Sequence, residues 1–230
     1  MKILGIIPAR GGSKGVPRKN IKLLDGEPLI AYSIKAAQES RLLTDVFVST
    51  DSEEIIAVAK KYNCSFFKRS EENAGDNTPI EPVIYELLDA LKEVYDLIVL
   101  LQPTAPIREG KDIDNVINMF IEDKELESVV SVVELEDIHP ARMYNVDSDK
   151  NMESLESTKE RFRRQDLTPV YLRNGSIYAT KVKSLQANKK LISSNKKAYI
   201  MPENKWANID TERDFLIAEV LVREWKNRKQ

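Results

Sequence analysis

The strongest constraint on the fold is an alternation. Through residues 1 to 135, short apolar runs of strand length trade places with longer amphipathic segments. KILGIIP, DVFVST, CSFFK, DLIVLLQ and SVVSVVEL read as strands. Between them PLIAYSIKAAQES, SEEIIAVAKKY, PIEPVIYELLDALKEV and DIDNVINMFIEDK space their apolar residues with a helical period. Strands that are unbroken apolar runs, each joined to the next by a crossover helix, belong to a mostly parallel sheet flanked by helices. The expected fold class is therefore α/β, and sheets of this kind take their ligands at the carboxyl ends of the strands.

The alternation stops between Glu136 and Pro169, a polar stretch rich in charges of both signs and without helical period. A segment this long inside a compact domain reads as an arm or lid. Strand patterns return in YLRNGSIYATKV and KKAYIMP around a short helix at SLQAN. A last helix runs from about Thr211 to Lys226, where Phe215, Leu216, Ala218, Leu221, Val222 and Trp225 share helical spacing. The length of 230 residues suits one domain with one appended element.

Charge and apolar content then exclude several classes. With 35 basic against 37 acidic residues the net charge is -2, so no overall field draws in nucleic acid or an anionic membrane. Any anion site has to be local. No segment approaches the roughly 20 apolar residues that span a bilayer, and the apolar run at the start halts at Pro8 without a cleavage pattern, so a cytoplasmic location is expected. The single cysteine, Cys64, precludes an internal disulfide and reads as a small packed side chain in a buried strand, NCSFFK.

Just such a local anion site comes directly after the first strand. IIPARGGSKGVPRKN places Gly11, Gly12 and Gly15 among Arg10, Lys14, Arg18 and Lys19. Glycines let successive N–H groups converge on phosphate oxygens, and the basic side chains add mobile positive charge around them. The spacing fits neither the P-loop nor the dinucleotide fingerprint, because Val16, Pro17 and further residues intervene before the next helix opens near Pro28. By these residues alone the ligand is a polyphosphate or a nucleotide.

The same stretch resembles the N-terminal signature of the CMP-N-acylneuraminate cytidylyltransferases, which couple CTP to sialic acids and related nine-carbon keto acids. VSTDSEEII, LLQPTAPIR, RRQDLTPVYLRNGSIY and NIDTERDF follow in the family's order, so the resemblance covers nearly the whole chain. It implies a single nucleotidyltransferase-type (Rossmann-like) domain over residues 1–230, with an inserted dimerisation arm at about 136–169 and a homodimer as the assembly. It also implies that Ala9, Arg10, Gly11, Gly12, Ser13, Lys14, Lys19, Asn20 and Arg69 hold CTP. The proline that usually follows that last arginine is Ser70 here. Gln102, Arg142, Arg164, Asn174 and Tyr178 would face the acceptor sugar, whose carboxylate suits the two-pronged grip of an arginine.

Mg²⁺ is the implied cofactor, since such ions take hard oxygen ligands and share phosphates with the substrate. The one histidine, His139, has no cysteine partner and excludes the common zinc sets. Asp210 in NIDTERDF matches the family's acidic metal motif, in which two aspartates are separated by one residue, but the first of the pair is Asn208 here. Asp210 also fits the N-cap of the last helix, and Asp51, with Glu54 three residues on, fits a capping box. The implied catalytic set is Arg10, Lys19 and Asp210, and no side chain stands out as a general base. Two rival readings are a glycosyltransferase that uses Asp147-Ser148-Asp149 as its metal motif, and a nucleotide-binding module without turnover.

Overall fold

The computed structural model describes residues 1–13, 15–75, 77–135 and 138–228. In chain order the first half consists of β1 (Ile3–Pro8), a two-strand ribbon β2 (Leu23–Leu24) and β3 (Glu27–Pro28), α1 (Leu29–Glu39), β4 (Asp45–Thr50), α2 (Glu53–Lys61), β5 (Ser65–Lys68), α3 (Ile80–Leu91) and β6 (Leu97–Leu101). The second half adds α4 (Gly110–Glu122), β7 (Ser128–Leu135), a hairpin β8 (Tyr144–Val146) and β9 (Met152–Ser154), then β10 (Val170–Lys181), α5 (Val182–Asn188), β11 (Lys196–Met201) and α6 (Glu212–Asn227).

The main sheet has the order β11-β7-β10-β6-β1-β4-β5. β10 runs antiparallel to both neighbours and the other pairings are parallel, as the crossover pattern requires. Because side chains alternate across a strand, β6 sends Leu97, Val99 and Leu101 to a core shared with Ile34 of α1 and with Ile113, Val116 and Phe120 of α4. Its Ile98 and Leu100 go to the opposite core with Ile84 and Leu87 of α3 and Leu185 of α5. Each such side chain, fully withdrawn from water, contributes roughly 1.5–3 kcal/mol.

A third cluster sits off the sheet. Phe215, Ala218 and Val222 of α6 pack on Val16, Leu24, Leu29 and Ile209, so the last helix presses on the segment that follows the glycine-rich stretch. Parallel pairing of β1 with β4 and β6 brings Pro8, Thr50 and Leu101 to one edge of the sheet, and the residues after each strand meet there.

Several local expectations are corrected. Cys64 is buried, but it lies just before β5, a short edge strand whose side chains are mostly exposed. Burial pushes its thiol up to about 11, which leaves it inert at neutral pH. Within the polar segment expected as an arm or lid, β8 and β9 pair as a hairpin. Its base is closed by His139, which is buried, accepts from the Ala141 amide through Nδ1 at 3.0 Å and meets the Thr168 carbonyl through Nε2 at 3.1 Å. The expected start of the arm at Glu136 lies outside the described residues.

Both expected aspartate caps belong to other residues. Ser52, not Asp51, stands at the N-cap of α2, and no side chain closes that helix. On α6 the cap is Thr211, whose hydroxyl accepts from the Asp214 amide at 3.2 Å while the Asp214 carboxylate accepts from the Thr211 amide at 2.8 Å. The reciprocal bond satisfies two of the helix's open donors and leaves the Asp210 carboxylate out of the capping. Thr211→Ala is therefore expected to lower stability by about 1 kcal/mol, whereas Asp210→Ala stays within about 0.5 kcal/mol of wild type. Urea unfolding checks this, and the reverse ranking returns the cap to Asp210.

Candidate active site

The residues that leave the sheet edge enclose a cavity of about 310 Å³, lined by Arg10, Ser13, Gly15, Lys19, Asn20 and Arg69 on one side and by Gln102, Thr104 and Asp210 on the other. Of the side chains expected to bind CTP, Arg10, Ser13, Lys19, Asn20 and Arg69 are thus brought together. Ala9 is buried below them and continues the β1 ladder by donating its amide to the Ser49 carbonyl at 2.9 Å. Lys14 lies outside the described residues.

The glycine-rich loop is ordered by three ties, one internal and two to distant segments. The Asn20 side chain, itself buried, donates to the Arg10 carbonyl at 3.0 Å. Lys19 donates to the Ile209 carbonyl at 2.6 Å and lies 3.4 Å from Asp210 Oδ1. The Gly11 amide donates to Asp51 Oδ1 at 3.0 Å. That last bond takes one N–H out of any phosphate nest and makes Asp51 a fixed wall of the loop.

Asp51 also faces Arg69, with 3.5 Å between carboxylate and guanidinium. Arg69 is buried; desolvation pulls its pKa down and the Asp51 carboxylate opposes the pull. Asp51 therefore anchors two parts of the cavity without lining it. In the sequence its position one residue past a strand end was the available sign.

Two glycines are required by close approach. A Cβ on Gly15 would lie 2.0 Å from the Asp210 carbonyl oxygen, so only glycine lets the loop lie against residues 209 and 210. Gly175 has a φ of +73°, and a Cβ there would lie 3.2 Å from Gln102 Oε1 and 3.4 Å from Asn208 Oδ1. The register of β10 shifts between Arg173 and Tyr178, and this irregularity brings the strand's bend up to the end of β6.

Arg108, the last residue of LLQPTAPIR, holds the turn after β6 from below. It is completely buried and donates to the carbonyls of Gln102, Ala105 and Ser176 and to the Ser33 hydroxyl. One guanidinium thus joins the turn, β10 and α1. The Ile209 amide donates to the Thr104 carbonyl at 2.9 Å, which fixes the 208–210 segment to the same turn.

Gln102 belongs to two cavities. The second, of about 370 Å³, adds Tyr178, Arg173, Lys190, Ile80, Glu81, Leu100 and Leu191. Arg173 lies close enough to Tyr178 to oppose the rise in the tyrosine's pKa that burial causes. Neither Arg173, on β10, nor Lys190, in the loop after α5, stands out in the sequence, where an isolated exposed cation carries no signal.

The other residues expected to face a sugar line neither of these cavities. Asn174 is buried, and its amide accepts from the Ser131 hydroxyl at 2.6 Å and donates to the Met201 sulfur at 3.2 Å. Arg142 ends a short 3-10 helix in the arm. Arg164 lines a separate cavity of about 400 Å³ with His139 and Thr168.

For a cation, the Asp210 carboxylate opens onto the first cavity, and Asn208 Nδ2 donates to its Oδ2 at 2.7 Å. Among the described residues no three histidine, cysteine, aspartate or glutamate side chains gather into a metal cluster. Asp210 thus offers one carboxylate, a hard oxygen donor, while Asn208 turns its amide nitrogen toward it; a single carboxylate fits a magnesium ion that takes its remaining ligands from phosphate and water. Asp147 of the rival metal motif is committed elsewhere: it accepts from the amides of Asp149 and Asn151, both at 2.9 Å, and closes the β8–β9 turn. No described helix is long and apolar enough to cross a membrane.

Residues 4–216 match the sequence profile of a family described as Cytidylyltransferase. The CMP-N,N'-diacetyllegionaminic acid synthase of Legionella pneumophila is 35% identical over 227 residues, which is 96% of this chain and 97% of that protein. The pseudaminic acid cytidylyltransferase of Campylobacter jejuni (strain 81-176) is 32% identical over 229 residues, 97% of each chain. Among solved structures, a CMP:2-keto-3-deoxy-manno-octonic acid synthetase in complex with CTP superposes with a TM-score of 0.75 at 18% identity, over 97% of this chain and 99% of that one.

The geometry sets two expectations for nucleotide affinity, both measured by calorimetric titration with CTP. Gly15→Ala forces backbone apart and weakens binding by about tenfold or more, equivalent to roughly 1.4 kcal/mol. Asp51→Ala, at a residue that lines no part of the cavity, weakens it by about tenfold as well, while Asp51→Asn retains more, because its amide oxygen still accepts from Gly11. Unchanged affinity in Asp51→Ala removes the anchoring role.

Proposed function

Because the chain belongs to the cytidylyltransferase family, we propose that it transfers CMP from CTP to the anomeric hydroxyl of a nine-carbon keto sugar acid and releases pyrophosphate. The observation that carries this reading is the pair of cavities that meet at Gln102, one walled by the cations Arg10, Lys19 and Arg69, the other a part-apolar cleft with two further cations. Names of relatives point the same way, since they act on legionaminic and pseudaminic acids.

In this reading the triphosphate lies along the glycine-rich loop, where Arg10, Lys14 and Lys19 offset its charge and Ser13 and Gly12 approach its oxygens. Arg69 faces the nucleoside side. The acceptor lies against Gln102 and Tyr178, with Arg173 and Lys190 available to its carboxylate. Its C2 hydroxyl oxygen attacks the α-phosphorus and gives up its proton to solvent, while the bond from that phosphorus to the oxygen bridging to the β-phosphate breaks and pyrophosphate leaves. Such reactions depend mainly on placement and on charge stabilisation, because little covalent chemistry falls to the protein. Asp210, with Asn208 beside it, would hold Mg²⁺, which when bound would supply charge neutralisation to the phosphates.

The reading extends to a cytoplasmic homodimer joined through the arm. Supporting it are Val146 and Met152, 60% and 62% exposed on the hairpin, and Phe162, 48% exposed beyond it. Exposed apolar side chains on this segment are available to such a contact. Arg142 and Arg164 would then meet a neighbouring subunit's acceptor, which accounts for their distance from the cavities of their own chain.

Pyrophosphate release from CTP and Mg²⁺, measured against a panel of sialic, legionaminic and pseudaminic acids, tests the activity. Turnover is expected with at least one of them, and Lys19→Ala or Asp210→Asn should lower kcat by about 10²-fold or more. Consumption of a nucleotide sugar in place of CTP, or binding without turnover, contradicts the proposal.

A further inference from the structure

Asn208 stands where a second metal-binding aspartate would be expected, and its surroundings say what the amide does instead. Its nitrogen donates to Asp210 Oδ2 at 2.7 Å. The other carboxylate oxygen, Oδ1, has Lys19 Nζ at 3.4 Å. Among the described residues Asp210 thus has a neutral donor at one carboxylate oxygen and a charged one at the other.

The amide oxygen of Asn208 points away from this pair. A Cβ on Gly175 would lie 3.4 Å from that oxygen and 3.2 Å from Gln102 Oε1, so the oxygen shares the crowded corner where β10 bends past the end of β6. The segment on which both residues sit is pinned from two directions. The Ile209 carbonyl accepts from Lys19 at 2.6 Å, and the Ile209 amide donates to the Thr104 carbonyl at 2.9 Å. The close approach of residues 208 and 210 is therefore set by a fixed backbone.

We infer that Asn208 is a positioning residue that keeps this site to a single carboxylate: its amide holds Asp210 in place, and a divalent cation must take its remaining ligands from the nucleotide. The inference rests on the nucleotidyl-transfer reading above. An aspartate at position 208 would set two anionic oxygens about 2.7 Å apart, an arrangement that a bound cation relieves. Affinity of an oxygen-ligand site for a divalent ion rises with the count of ligand charges. With asparagine, the cation and CTP bind together; with aspartate, the protein alone would hold the cation.

The test uses the full chain and Mn²⁺, whose free concentration is read by electron paramagnetic resonance in the absence of nucleotide. Asn208→Asp is expected to bind Mn²⁺ at least about tenfold more tightly than wild type. CTP titrations by calorimetry supply the second reading. Wild type should bind CTP several-fold more tightly with Mn²⁺ than in EDTA, and Asn208→Ala should lose part of that gain with no change in Tm, since residue 208 is exposed. Equal Mn²⁺ affinity in wild type and Asn208→Asp overturns the role assigned to Asn208 while leaving the enzymatic reading intact. A wild type that binds no CTP in either condition overturns both.

Discussion

The site depends on one long-range closure: the loop after β1 lies against the segment before α6, nearly two hundred residues away in the chain. Lys19 reaches the Ile209 carbonyl, and the missing side chain of Gly15 allows the Asp210 carbonyl to sit where a Cβ would otherwise be. A cation that hydrogen-bonds a carbonyl beside a carboxylate draws together parts of the chain with no sheet hydrogen bonds between them. Behind the contact, Phe215, Ala218 and Val222 of α6 pack on Val16 and Leu24, so apolar burial supports what the polar contact aligns. Without this closure the cavity loses Asp210 from its far wall.

Around that closure a second tier of residues acts without lining the cavity. Asp51 fixes Gly11 and Arg69 together, and Arg108, completely buried, ties the turn after β6 to β10 and α1. Buried charged groups are costly unless they are well supplied with partners. Arg108 meets this at its two terminal nitrogens through three carbonyls and a hydroxyl, leaving only Nε without a partner, and these bonds hold the turn that carries Gln102. Side chains that meet substrate can then be few, because their backbone is already held.

The main sheet was legible in the sequence because its signal is repeated. Unbroken apolar runs such as LIVLL can only be buried on both faces, and the helices between them announce their period over ten or more residues. Short elements carry no such redundancy. The β2–β3 ribbon and the β8–β9 hairpin each span two or three residues per strand, too few for alternation to register. Caps failed for a related reason: Asp210 and Thr211 are adjacent and both are good capping residues, and only the fold decides that Thr211 pairs with Asp214. Within the site, the glycine and cation pattern exposed the nucleotide side, whereas Arg173 and Lys190 meet only because a bulged strand and a distant loop converge on Gln102.

The central claim is that the glycine-rich loop and the 208–210 segment close together on a nucleoside triphosphate, and hydrogen–deuterium exchange tests it most directly. Addition of CTP with Mg²⁺ should slow exchange in residues 9–22 and in residues 207–211 at the same nucleotide concentration, with little change in the β8–β9 hairpin. Protection confined to one of the two segments, or found elsewhere with both unchanged, would contradict the account.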